Sequence, residues 1–170
     1  MRNVAAPLLL LPVALLGAAC SAPVDLKQAL QITDVVSGYH DAGVVAGKNK
    51  IVPSITFRLK KNTSDSLRPL SINVAFKQFP PAGTNVAPGS PTEADWDDKF
   101  VQSVPFDADV TKPLTFHAES GYTADPPQTR ADILKHRLFQ DVRIHIFAKH
   151  SASQWVEIAS FDVPRQLLAQ

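Results

Sequence analysis

The stretch that decides the fold is residues 51–79, IVPSITFRLKKNTSDSLRPLSINVAFKQF. Within it Ile51, Pro53, Ile55, Phe57 and Leu59 alternate with Val52, Ser54, Thr56, Arg58 and Lys60, and Leu70, Ile72, Val74 and Phe76 alternate with Ser71, Asn73, Ala75 and Lys77. A β-strand turns successive side chains to opposite faces, so this period of two, rich in β-branched and aromatic residues, marks two half-buried strands. Between them Lys61-Asn62-Thr63-Ser64-Asp65-Ser66 carries short polar side chains that bond back to the main chain and favour a turn. The stretch therefore reads as a hairpin, and because a hairpin is not stable alone its apolar faces require a partner layer.

The flanking sequence supplies that layer. Residues 26–36 read as a first strand with a bulge near Asp34, although Leu26-Lys27-Gln28-Ala29-Leu30 tolerates one helical turn. Residues 37–50, with Gly38, Gly43 and Gly47, read as a loop. After Phe79 a proline-rich run opens a connection of about twenty residues ending near Phe100, much longer than the usual 4–6. Loops of that length are usually functional or disordered, which makes Trp96 and Phe100 candidate partner-binding residues; the alternative is that Trp96 folds back over the open end of the core.

Further on, a short strand is expected over 100–106 and a longer one over 113–122, with Leu114, Phe116 and Ala118 inward. Thr129-Arg130-Ala131-Asp132 has the pattern of a capping box, and Ala131, Leu134 and Leu138 have helical spacing. Val142, Ile144, Ile146 and Ala148 mark another strand, and 154–163 a last one in which Trp155, Val156 and Ile158 leave the buried face open. The expected fold is all-β with one short helix: an antiparallel immunoglobulin-like β-sandwich of about seven strands.

The chain has 170 residues, 45% hydrophobic and 19% charged, which suits one globular domain. A net charge of +1 with scattered acids and bases gives no electrostatic footprint for nucleic acid. Fourteen prolines against seven glycines favour many strand boundaries over long helices.

At the amino terminus, Met1-Arg2-Asn3 precedes an apolar run over 4–16 that is too short to span a bilayer but matches a secretory signal peptide, expected over 1–19. The run ends Leu16-Gly17-Ala18-Ala19-Cys20-Ser21. This resembles the lipobox of bacterial lipoproteins, with Gly17 where Leu is usual, and implies lipidation at Cys20, the one cysteine in the chain. Ordinary secretion with a free amino-terminal cysteine is the alternative. The resemblance further implies a lipid anchor in the cell envelope, and Ser21 after the cysteine implies the outer membrane, facing the periplasm. Several acyl chains hold a protein durably where one is marginal. Residues 20–26 form a tether of about 20 Å at ~3.3 Å per residue, so the domain over 27–170 must work close to its membrane.

The run Ile55-Thr56-Phe57-Arg58-Leu59-Lys60-Lys61-Asn62-Thr63-Ser64, continuing through Leu70 to Phe76, resembles the central hairpin of FxLYD-type and related immunoglobulin-like domains of exported bacterial proteins. The proline-rich insertion and the segment around Ala131 depart from that pattern. The resemblance implies a sandwich and brings no catalytic residues with it.

No nucleophile elbow, phosphate-binding glycine loop or dinucleotide fingerprint is present, and no cofactor is expected. His117, Ser120 and Asp125 are close in sequence, but neighbours on one strand rarely converge as a triad. His117 and Glu119 share a strand face that an adjacent strand could complete with His145, the weak candidates for a metal. Glu93, Asp95, Asp97 and Asp98 lack the glycine and terminal glutamate of a calcium loop and read as solvated charge. The expectation is a non-enzymatic, membrane-anchored interaction or assembly module with an envelope protein partner, binding through a strand edge or the 80–100 loop. The alternative is a periplasmic small-ligand carrier with its pocket between the sheets, beneath the helix.

Overall fold

A computed structural model describes residues 24–80, 93–101 and 103–169. The expected signal peptide, Cys20 and most of the proline-rich run lie outside the described residues. The fold is an antiparallel β-sandwich. Helix α1 (Leu26–Ala29) is followed by β1 (Leu30–Val45), β2 (Lys48–Lys61), β3 (Leu70–Gln78), β4 (Ala94–Val101), β5 (Phe106–Asp107), β6 (Val110–Thr111), β7 (Leu114–His117), β8 (Tyr122–Ala124), helix α2 (Arg130–Lys135), β9 (Val142–His150) and β10 (Val156–Asp162). Of these ten described strands, seven have four residues or more and match the expected number; β5, β6 and β8 are additional short pairings. The described helices number two rather than one.

The strands form two sheets. One holds β1, β2, β5, β6, β7 and β8; the other runs β10-β9-β3-β4. The expected hairpin between β2 and β3 does not exist, because the two strands belong to different sheets. Residues 62–69 carry the chain across the sandwich, with Leu67 buried on the way. The alternation identified the buried faces correctly: Ile51, Ile55, Phe57 and Leu59 from β2 and Leu70, Ile72, Val74 and Phe76 from β3 are all fully buried in one core. Each of these faces is thus part of the cover the other needs, and β9 adds Val142, Ile144, Ile146 and Ala148.

The expected loop over 37–50 is instead the greater part of a long hairpin. Strand β1 pairs with β2 from Leu30 opposite Lys61 to Val45 opposite Lys48. Ala46 and Gly47 turn it with φ of 50° and 78°, the left-handed pair that a two-residue hairpin turn demands. Two register shifts hide the alternation. One lies between Thr33 and Val36, where Asp34 has φ 53°, as the sequence indicated. The other lies between Asp41 and Val44, where Gly43 has φ 77° and donates its N–H to Asp41 Oδ1 at 2.8 Å. The far edge of β2 is served in turn by β8, β7 and β6.

Helix α1 adds the one tolerated turn, with Asp25 as its cap and Leu26 and Ala29 buried, so the domain starts before residue 27. Helix α2 has the expected capping box, Thr129 with Asp132. Its buried residues are Ile133 and Leu134, while Ala131 and Leu138 are exposed, because six residues are too few to fix a stripe by spacing. Among the described residues the strand expected over 100–106 is divided, its first two residues ending β4 at Val101 and Phe106 beginning β5.

Candidate functional site

The outer face of the four-stranded sheet carries the largest exposed aromatic groups. Because β3 and β9 bury alternate residues completely, Asn73, Ala75 and Lys77 on β3 and Arg143, His145, Phe147 and Lys149 on β9 point the other way. The register sets Phe100, Asn73, Phe147 and Glu157 in one row across β4, β3, β9 and β10. Trp155 immediately precedes β10, and its ring meets that of Phe100 edge-on, 5.6 Å between centroids and 71° between planes. Phe100 and Trp155 stem from opposite edges of the sheet, so their contact arches over Asn73 and Phe147. They remain 51% and 40% exposed. Lys149 Nζ stands 5.9 Å from the Trp155 ring centre. These five residues line a shallow cleft of about 580 Å³.

The other half of this face is ionic. His145 bonds Glu157 through Nδ1 and Glu93 through Nε2, each at 2.9 Å. Arg143 donates to Glu93 at 3.1 Å and to Asp162 at 2.7 Å while covering the Phe79 ring. Asp95 pairs with Lys77 at 3.2 Å, and Asp97 accepts the backbone N–H groups of Glu119 and Ser120. Glu93, Asp95 and Asp97 are therefore partnered, and the last of them ties the β4 edge to the opposite sheet rather than serving as solvated loop charge. With its charges matched internally, this half offers a partner less than the aromatic half does.

The sequence candidates separate in space. Trp96 lies on β4, at a register shift opposite Phe76 and Lys77, and packs half-buried on Tyr122 at 5.1 Å between centroids. It folds back onto the core, the alternative placed beside partner binding. Phe100 alone of the pair joins the exposed cleft. Trp155 was missed because the bulge between Glu157 and Ala159 blurs the alternation of β10. His117 and His145 are not brought together: they sit in different sheets, and Glu119 pairs with Lys99 at 2.6 Å. His117 lies instead against His40, with ring centroids 4.4 Å apart. Burial, and then the charge of His40, hold the His117 imidazole below the ordinary histidine range.

Beneath α2, Tyr122, Ile133, His136 and Phe139 help line a cleft of about 140 Å³. Pockets for drug-sized ligands typically measure about 300–1,000 Å³, so the carrier reading finds little room there. Tyr39, fully buried in β1, packs edge-on against Phe139 at 5.2 Å, and its hydroxyl has no hydrogen-bond partner among the described residues. No described group of three or more His, Cys, Asp and Glu side chains could hold a metal ion. Compared with protein-family models, curated proteins and solved structures, the chain matches none.

Proposed function

We propose that this chain is a lipid-anchored cell-envelope protein whose sandwich is a non-catalytic interaction module, and that it takes an apolar segment of a protein partner on the aromatic face of its four-stranded sheet. The observation that carries the reading is the Phe100–Trp155 arch over Asn73 and Phe147. Large exposed aromatic groups cost solvation and are typical anchors where a few residues dominate binding. Position supports it as well. Leu30, directly after α1, pairs with the last residue of β2, and the crossing segment 62–69 leaves the same end. Leu70 opposite His150 places the β9–β10 turn and Trp155 at that end too. A short tether at Cys20 would hold this end nearest the membrane and bring membrane-embedded partners within reach. The Cys20 anchor itself rests on the lipobox resemblance.

The test is photo-crosslinking in the cell from positions 100, 155 and 96, with Cys20→Ser as the unanchored control. A discrete protein adduct is expected from 100 and 155, absent from 96, and lost in the control. Binding of the purified partner should weaken about 30-fold in Trp155→Ala, a hot-spot loss of about 2 kcal/mol. Lipid adducts alone would replace the protein partner by the membrane surface, and no adduct from a folded, anchored chain would overturn the reading.

A further inference from the structure

The geometry points to a copper(II) site made by His40 and His117 on the outer face of the six-stranded sheet, independent of the aromatic cleft on the other sheet. His40 belongs to β1 and His117 to β7, and β2 runs between them. His40 is opposite Val52, and His117 is opposite Ser54. With strands about 4.8 Å apart, the two main chains are separated by about 10 Å. Both side chains nevertheless lean over β2 until their ring centroids are 4.4 Å apart, with 39° between planes. Val52 and Ser54 beneath them are 4% and 1% exposed, although the register turns them away from the core. The two imidazoles thus lie together on that outer face, His117 exposed and His40 half-buried.

That spacing is short enough for the two imidazoles to share one metal ion. A nitrogen bound at about 2.1 Å places the imidazole centre about 3.2 Å from the metal, so two rings at a right angle have centres about 4.5 Å apart, and two at the tetrahedral angle about 5.2 Å. The observed 4.4 Å lies within about 1 Å of either value. Copper(II) is the tightest-binding of the first-row divalent ions at such imidazole sites, and its tetragonal geometry accepts two cis nitrogens with solvent at the other positions. His145 is a poor competitor, because both its ring nitrogens are bonded to carboxylates. No third described His, Cys, Asp or Glu completes the set, so solvent takes the remaining positions. The site is accordingly an open two-imidazole chelate.

The experiment titrates copper(II) into the full chain carrying Cys20→Ser, which removes its one thiol, and follows heat and the electron paramagnetic resonance spectrum. One equivalent is expected, with an axial spectrum showing two equatorial nitrogens. Loss of even an outer-shell partner typically costs 10–100-fold in affinity, so His40→Gln and His117→Gln should each weaken binding by at least about tenfold. His145→Gln should leave binding unchanged. Thermal melts establish that each variant is folded, and broadening of the His40 and His117 ring resonances by copper(II) reads the site without any histidine substitution. Absence of that broadening, affinity unchanged in either single variant, or loss in His145→Gln would overturn the site.

Discussion

Replacing Tyr39 by Phe should make this protein more stable. Tyr39 is fully buried, and among the described residues its hydroxyl meets no hydrogen-bond partner. Taking a hydroxyl out of water without a replacement bond costs about 1–3 kcal/mol. Deleting the oxygen forfeits a few dispersion contacts, each about 0.1–0.2 kcal/mol, and leaves the ring on Phe139 and Tyr122. The net expectation for Tyr39→Phe is a gain of about 1 kcal/mol. For a domain of this size that raises Tm by roughly 2–4 °C. Tyr39→Ala, which empties the space under those rings, should instead lose about 3–5 kcal/mol. Urea unfolding followed by tryptophan fluorescence measures both, and the two variants together separate the hydroxyl from the ring. If Tyr39→Phe lost 1 kcal/mol or more, the hydroxyl would have to be bonded in the folded protein, and the reasoning from an unpartnered donor would fail.

Alkaline pH should unfold the protein through its buried phenols. Burial raises the Tyr122 hydroxyl to about 12 and that of Tyr39 further, whereas both ionise near 10 in the unfolded chain. Because the folded values are the raised ones, the unfolded state loses protons first, so stability is full below about pH 10 and falls as pH rises, the Tyr122 part through about pH 12 and the Tyr39 part beyond it. The double variant Tyr39→Phe with Tyr122→Phe should flatten that fall in a pH series of melts. Gly121→Ala should destabilise by about 3 kcal/mol, since a Cβ there would lie 2.3 Å from the Ile51 carbonyl oxygen, which is backbone and cannot step aside. A Tm within 2 °C of the parent would show that the β7–β8 link can yield.

What the sequence by itself determined was the buried face of three strands and several local devices. Alternation named the buried residues of β2, β3 and β9, the bulge at Asp34 was legible, and Thr129 with Asp132 marked the helix start. These are properties of neighbouring residues, fixed by the two-residue period of a strand and by the reach of a capping side chain. Only the tertiary structure decided which strands pair. An apolar face states that it must be covered but not by what, so the polar segment 62–69 served equally for a hairpin and for the crossing between sheets that it makes. The second bulge, at Gly43, shifted the phase of β1 and made a strand look like a loop. The candidate sites follow the same rule. Phe100 and Trp155 meet because β4 and β10 edge one sheet, and His40 and His117 meet because β1 and β7 flank β2. Both contacts depend on strand order, which is set by how the whole chain closes its core.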